Sequence, residues 1–258
     1  MKILNWLVLA CLSIDTYGQE VTLYGDDEYP PYSYVENAIQ KGIYADILRK
    51  VDKEIPDYQI VLKALPWKRG LRMLHHGDIA FLYPPYKRLK ERPYMSYSLP
   101  ILREELSIFC RKDTQLTPAS IFPDDFKGML VGENLGFSSG DKIHKARNSG
   151  FIKLSSSKGT LANLKRLINR SLNCYVNDRL SILYELHLLQ AQGDYDGESI
   201  VETVSISNEY GHLGVTKKMA NFPYLKDFLK KFNHVVKRLD EKGEIKKIAD
   251  SYLINVNK

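Results

Sequence analysis

Short apolar runs alternate with helical patterns along the first part of the chain. Buried strands are predicted by three of these runs, at residues 21–24, 58–62 and 79–83. Between them, residues 42–53 and 67–76 place apolar side chains at helical spacing, and the second segment stops at Gly77, a residue that commonly ends helices. The order strand, helix, strand, helix, strand predicts a parallel α/β sheet.

The rest of the chain repeats this plan. Apolar runs predict strands at residues 106–110, 129–132 and 174–176, and further extended segments at residues 201–205 and 212–216. Helical spacing of apolar residues marks three segments, at residues 160–169, 224–239 and 244–253. The last two carry many lysines on their outer face, which we interpret as a solvated surface. The pattern as a whole therefore predicts two α/β units.

Aromatic and basic side chains follow the predicted strands of the first unit. In such sheets, ligands bind outside the carboxyl ends of the strands. Tyr29 and Tyr32 follow the first strand among prolines, and Arg88 and Arg92 lie in the aromatic loop after the strand at residues 79–83. Because arginine presents a planar fork of donors that matches a carboxylate, this loop predicts a site for a small anionic ligand. A solvated basic loop is the alternative.

The second unit has polar groups at its own strand ends. A loop of glycine, phenylalanine and serine, residues 136–140, precedes a helix and offers backbone N–H groups to an anion, although serine there also serves as an ordinary helix cap. Asn177 and Asp178 follow the strand at residues 174–176. No metal-ligand spacing is visible, so we expect neither a metal nor a cofactor.

Composition and charge narrow the class of protein. The 258 residues are 44% hydrophobic and 26% charged, which is typical of a folded globular protein and not of a disordered or membrane-embedded one. The net charge of +6 is spread along the sequence, without arginine runs or an aromatic–basic repeat. This distribution argues against a nucleic-acid partner and favours small anionic ligands.

The start of the chain predicts export. Residues 1–18 combine Lys2, a mostly apolar segment and small residues, as in a cleaved secretory signal; lipid attachment at Cys11 is a weaker alternative because its context is poor. No later run reaches the ~20 apolar residues of a membrane span, so we expect a soluble mature protein. In that protein, Cys110 and Cys174 form either one disulfide or two buried thiols.

Seven short motifs occur in the order typical of one family: YPPY, PWKR, GDIA, ER…YSLP, NLGFSSG, CYVND and the two closing helices. Across residues 20–253 the chain resembles bacterial periplasmic solute-binding proteins of the amino-acid-binding type, the extracytoplasmic partners of ABC importers. The resemblance implies a periplasmic monomer with a two-lobed α/β fold, each lobe a mostly parallel sheet flanked by helices, with two crossing segments as a hinge. Lobe 1 would comprise residues 19–104 and 211–258, and lobe 2 residues 105–210.

The resemblance also implies roles for individual side chains. By position, Tyr29 matches an aromatic residue that packs on the ligand, and Arg92 matches the arginine that binds the α-carboxylate. Ser138 matches a hydroxyl that supports the same carboxylate, and Asp178 matches the acid that pairs with the α-amino group. The remaining candidates are two walls of the cleft, Trp67 and Tyr83, the neighbouring Tyr32, and Arg88 as an alternative to Arg92.

The loop before Arg92 departs from the family pattern. Where the family commonly has serines or threonines that bind the ligand, this chain has Pro84, Pro85, Lys87 and Leu89. The segment after Arg92 is also one residue short, so Arg88 or Arg69 are alternatives for holding the carboxylate. We expect a zwitterionic or anionic small-molecule ligand.

Three functions are open at this point. The first is binding of an amino acid or a related carboxylate for delivery to an ABC permease in the inner membrane. The second is a sensory or partner-binding module with the same fold. The third is a cyclohexadienyl dehydratase-like enzyme, an activity that a few members of the fold have, with Glu28, Glu133 or Asp178 as the acid or base. Because no serine, cysteine or histidine constellation accompanies those acids, we predict binding without catalysis.

Overall fold

The alternating pattern of the first half forms strands and helices close to the predicted bounds. The structure is a computed structural model that describes residues 18–254, so the predicted signal lies outside the described residues except for Gly18. The elements of this half are β1 (Gln19–Asp26), β2 (Glu28–Tyr29), β3 (Ser33–Glu36), β4 (Ile39–Lys41), α1 (Ile43–Asp52), β5 (Tyr58–Leu65), α2 (Trp67–His76), β6 (Phe81–Tyr83) and β7 (Met95–Tyr97).

The second half supplies a second set of strands and helices and then returns to the first. Its elements are β8 (Leu102–Arg111), β9 (Leu130–Asn134), α3 (Asp141–Asn148), β10 (Lys153–Ser157), α4 (Thr160–Ile168), β11 (Cys174–Asp178), α5 (Arg179–Ala191) and β12 (Ile200–Gly211). The returning elements are β13 (Gly214–Thr216), α6 (Leu225–Glu241) and α7 (Glu244–Ile254). Within residues 18–254, no helix has the length and apolar character needed to span a bilayer.

Lobe 1 is built on a sheet of order β5-β1-β6-β13-β7. The pairs β1–β5 and β1–β6 are parallel, whereas β13, which comes from the returning chain, is antiparallel to both neighbours. Side chains alternate across the strands: Leu23 and Phe81 join the core under α1 and α6, and Leu82 joins the smaller core under α2. Gly77 ends α2 in the left-handed conformation, as expected from its position.

Lobe 2 is built on a sheet of order β10-β9-β11-β8-β12. The pairs β9–β10 and β9–β11 are parallel, and β8 is antiparallel to β11 and β12. Cys110 of β8 lies directly opposite Cys174 of β11, and the two form a disulfide, which decides between the alternatives left open by the sequence. The predicted two-lobed α/β fold is confirmed, with the antiparallel strands of each sheet added by the crossing segments and the returning chain.

The chain passes between the lobes twice. It leaves lobe 1 between β7 and β8 and returns between β12 and β13, and the two crossing segments pair as an antiparallel ribbon, with Leu102 opposite Gly211 and Arg103 opposite Tyr210. We call this ribbon the hinge. The residue boundaries given above for the two lobes stay a prediction.

Candidate ligand-binding site

A small cavity lies between the lobes, at the carboxyl ends of β1, β6 and β9. Its volume of about 20 Å³ is enough for about one water molecule. It is lined by Asp26, Tyr29, Trp67, Pro84, Tyr86 and Arg92 from lobe 1, and by Phe137 and Ser138 from lobe 2. Four of the predicted site residues, Tyr29, Trp67, Arg92 and Ser138, therefore meet at one place.

Arg92 brings a buried positive charge into this cavity. The side chain is 6% exposed, and its Nη2 donates to the Gly136 carbonyl at 3.5 Å, a long hydrogen bond. The guanidinium lies over the Trp67 ring, 5.7 Å from its centroid. Burial lowers the pKa of Arg92. Within residues 18–254 this arginine forms no salt bridge, so it is short of partners for a charge so far from solvent.

Asp26 brings a buried acid into the same cavity. It ends β1 and is 2% exposed; Oδ1 accepts the Glu28 N–H at 3.1 Å, while Oδ2 has no hydrogen-bond partner among the described residues. Burial raises the pKa of Asp26 to about 8. Asp26 was not among the predicted site residues, although its place at the end of the first strand was a usable signal.

Three of the four aromatic rings that line the cavity pack on one another. The Phe137 ring from lobe 2 stands edge-on between two rings of lobe 1, at centroid distances of 5.1 Å from Tyr29 and 5.9 Å from Trp67. Trp67 is held in turn because its Nε1 donates to the Gly136 carbonyl at 3.2 Å. Phe137 was not among the predicted site residues, because its ring packs on rings of the opposite lobe.

Arg88 connects the two lobes at the edge of the site. Its Nε donates to Ser138 Oγ at 2.7 Å and its Nη1 donates to Glu209 Oε2 at 2.9 Å, while Nη2 forms an ion pair with Glu209 Oε1 at 2.8 Å. Such a bidentate pair satisfies most of the guanidinium. Of these two candidates for a ligand carboxylate, Arg92 is therefore the one that has more N–H donors without a partner among the described residues. The third candidate, Arg69, is exposed and does not line the cavity.

A buried carboxylate in the hinge organises the tyrosines beside the cavity. Glu104 of β8 is 2% exposed, and Oε2 accepts the hydroxyls of Tyr29 at 2.6 Å and Tyr86 at 2.7 Å. Oε1 accepts the Tyr44 hydroxyl. Burial raises the pKa of Glu104, and the nearby Asp178 raises it further. Glu104 was not among the predicted site residues, although it fixes where the Tyr29 ring lies.

The other predicted residues lie outside the cavity. Asp178 is fully buried and caps α5, accepting the backbone N–H groups of Ser181 and Glu105, both at 3.0 Å, and it also hydrogen-bonds the Tyr32 hydroxyl. Burial raises the pKa of Asp178. Tyr32 and Asp178 border a different cavity of about 580 Å³ beside the hinge. Tyr83 is fully buried in the core of lobe 1. Ligand roles for these three residues stay predictions.

Comparison with known proteins identifies the family. The sequence model of the bacterial extracellular solute-binding proteins, family 3, matches residues 21–255. No curated protein sequence matches the chain. Among solved structures, the chain resembles a histidine kinase sensor domain with similarity to periplasmic binding proteins, with a TM-score of 0.75, 16% identity, and 92% of this chain and 97% of that chain covered.

Two proteins described as ancestral are also similar in structure. An arginine-binding protein bound to arginine matches with a TM-score of 0.73 and 16% identity, over 92% of this chain and 99% of its own. An amino acid-binding protein described as a precursor of cyclohexadienyl dehydratase matches with a TM-score of 0.69 and 14% identity, over 90% of this chain and 95% of its own. At such low identity these similarities establish the fold alone.

Proposed function

Because the chain belongs to the bacterial extracellular solute-binding proteins of family 3, we propose that it captures a small polar solute outside the cytoplasm, in the cleft between its lobes. The solute is an amino acid or a related carboxylate, and the loaded protein delivers it to an ABC-type permease in the inner membrane. The observation that carries this proposal is the pair of buried ionisable groups in the cavity: among the described residues, Arg92 has no carboxylate partner and Asp26 Oδ2 has no donor.

The two groups suit the two ends of a zwitterion. Arg92 offers a fork of donors to the carboxylate. Asp26 holds its proton in the free protein, and an ammonium group beside it favours the ionised form, whose Oδ2 accepts from that ammonium. Tyr29 and Trp67 supply the apolar walls that exclude water. A solute that touches both lobes stabilises their closed arrangement, which is the form that a permease would recognise.

A solute screen with matched arginine variants tests the proposal. We expect thermal-shift measurements against amino acids, dicarboxylates and small amines to give at least one zwitterionic or anionic hit. Calorimetric titration of that hit should show binding weakened by about tenfold or more in Arg92→Ala, because a charge-assisted hydrogen bond is lost. Arg69→Ala, at an exposed position of the same lobe, should bind like the parent. Parent-like binding by Arg92→Ala would overturn the assignment.

A sensory role is the second candidate. It is supported by the way Phe137, Ser138 and Arg88 hold the lobes together through the protein's own side chains, as a signalling module with a weak ligand would allow. The structural match to a histidine kinase sensor domain agrees with it. Loss of solute uptake on deletion of the gene would support transport; a change in transcription without a change in uptake would support signalling.

Dehydratase-like chemistry is the third candidate. Asp26 supports it, because a carboxyl group with a pKa of about 8 holds its proton at neutral pH and stands in the cavity as an acid. Turnover of prephenate-like compounds that disappears in Asp26→Asn would establish an enzyme. Absence of turnover in a protein that binds solutes would leave the binding function alone.

A further inference from the structure

One short segment of lobe 2, residues 136–138, contacts the groups of lobe 1 that a solute would bind. Its first residue, Gly136, presents a carbonyl oxygen to both Trp67 Nε1, at 3.2 Å, and Arg92 Nη2, at 3.5 Å. A carbonyl oxygen on a buried guanidinium is a weaker version of the contact that a solute carboxylate would make there. The segment therefore begins by taking the position proposed above for the carboxylate.

The next two residues, Phe137 and Ser138, also take positions that a solute would use. The Phe137 ring fills the space between Tyr29 and Trp67, where an apolar part of a solute would pack. The Ser138 hydroxyl accepts from Arg88 Nε at 2.7 Å. Three consecutive residues thus contact the aromatic and cationic groups of the opposite lobe. In doing so, this segment of the chain makes the contacts that a bound solute would make.

We propose that residues 136–138 are an internal competitor for the solute cleft, and that Phe137 decides which solutes enter it. The inference rests on the proposed function, since it takes this cleft to be the solute site. With the segment docked, the lobes close on the protein's own side chains. A solute larger than water has to displace the segment before it binds.

The cavities on either side of Phe137 support this role. The cavity of about 20 Å³ and an adjoining one of about 130 Å³ are both lined by Asp26, Trp67 and Phe137. The Phe137 ring is thus part of the partition between them. Moving it joins the two spaces, so that the larger one becomes continuous with the cavity lined by Arg92.

The competition lowers the apparent affinity for solutes. When only a fraction of the protein has the segment undocked, the measured dissociation constant is raised by the inverse of that fraction. A solute gains the most binding free energy at Arg92, because its carboxylate replaces the long hydrogen bond of 3.5 Å that Arg92 makes to the Gly136 carbonyl. Anionic or zwitterionic solutes are therefore the ones best able to displace the segment.

The test compares Phe137→Ala with Phe122→Ala, a change at another partly buried phenylalanine of lobe 2 that packs on Phe126. Small-angle X-ray scattering without added solute should give a compact parent, a larger radius of gyration for Phe137→Ala, and a parent-like value for Phe122→Ala. Arg88→Ala, which removes the bridge to Glu209, should open the lobes independently. Circular dichroism verifies that each variant is folded.

Titration of the hits from the solute screen supplies the second measurement. We expect Phe137→Ala to bind them about tenfold more tightly than the parent, the order expected when two ring pairs no longer compete. Weaker binding by Phe137→Ala would identify Phe137 as a wall of the bound solute and overturn the inference, as would an extended parent in scattering. If no solute binds any variant but the scattering differs as expected, the internal contact stands and the proposed solute binding fails.

Discussion

At the scale of single residues, Asp26 makes the protein sensitive to pH. Its pKa is about 8 in the folded protein and near 3.8 in an unfolded chain, so between these values the folded state holds a proton that the unfolded state has released. The free energy of unfolding therefore falls as the pH rises from 4 to 8, by up to about 1.4 kcal/mol per pH unit for this one proton. Urea denaturation at several pH values measures the slope.

Replacement by asparagine isolates this contribution. Asp26→Asn keeps the shape of the protonated side chain and loses its titration, so its slope between pH 4 and 8 should be shallower than that of the parent. Asp78→Asn, at an exposed position of the same lobe, should leave the slope unchanged. Equal slopes for the parent and Asp26→Asn would mean that the carboxyl group is ionised in the folded protein.

The residues of the cavity also show how much of the site could be predicted from the sequence. Tyr29 and Arg92 were predicted because they follow strands whose carboxyl ends meet at one edge, a relation that topology alone provides. Asp26, Phe137 and Glu104 were missed. The roles of Phe137 and Glu104 come from contacts with the opposite lobe and the hinge, which no pattern along the chain indicates. Asp26 could have been predicted from its position at a strand end, but the burial that raises its pKa could not.

At the scale of elements, Asp178 acts as the N-cap of α5. Asp178→Ala removes that cap and leaves the buried Tyr32 hydroxyl without its acceptor, so the free energy of unfolding should fall by about 2 kcal/mol or more. Asp178→Asn retains a capping oxygen and should be less destabilised, with parent-like solute binding, because the oxygens are already occupied. Denaturation and titration of both variants measure this. Binding lost in a stable Asp178→Asn would instead assign the solute ammonium to Asp178.

The disulfide joins two strands of the lobe 2 sheet. Cys110 and Cys174 are fully buried and 64 residues apart in sequence, so the bond closes a long loop in the unfolded chain. Loop-closure entropy for such a length corresponds to about 4 kcal/mol, and reduction should lower the urea midpoint accordingly. The Cys110→Ala/Cys174→Ala double variant should be destabilised without reductant and should not respond to it. A parent midpoint that is unaffected by reductant would contradict this.

Among the helices and strands, those with a strong hydrophobic periodicity were predicted best from the sequence. Helix α2 has the predicted bounds, because its apolar side chains are spaced helically and Gly77 ends it. The hairpin of β3 and β4 was missed, since its turn places Asn37 and Ala38 at positive φ without the glycine that usually marks such turns. Helix α5 was missed because Leu180–Leu189 is apolar on nearly every side and has no clear polar face.

At the scale of the whole molecule, the lobes are joined by the hinge and by side chains that cross the cleft. Arg88 reaches Glu209, Lys158 of lobe 2 forms a salt bridge with Glu28 at 2.7 Å, and the Ser181 hydroxyl donates to the Pro30 carbonyl at 2.7 Å. These polar contacts, each of modest strength, hold the closed arrangement together with the ring contacts of Phe137. Contacts of this strength can be exchanged for contacts to a solute.

The hinge is tightly packed at Gly211, which lies against Tyr44 and Glu104. A Cβ at Gly211 would overlap the Tyr44 hydroxyl and lie 2.9 Å from Glu104 Oε1. Gly211→Ala should therefore lower the free energy of unfolding by about 1–3 kcal/mol. Adding Tyr44→Phe removes the overlapping oxygen, so the double variant should be more stable than the sum of the single changes by about 1 kcal/mol. Strictly additive effects in urea denaturation would show that the hinge does not pack on this tyrosine.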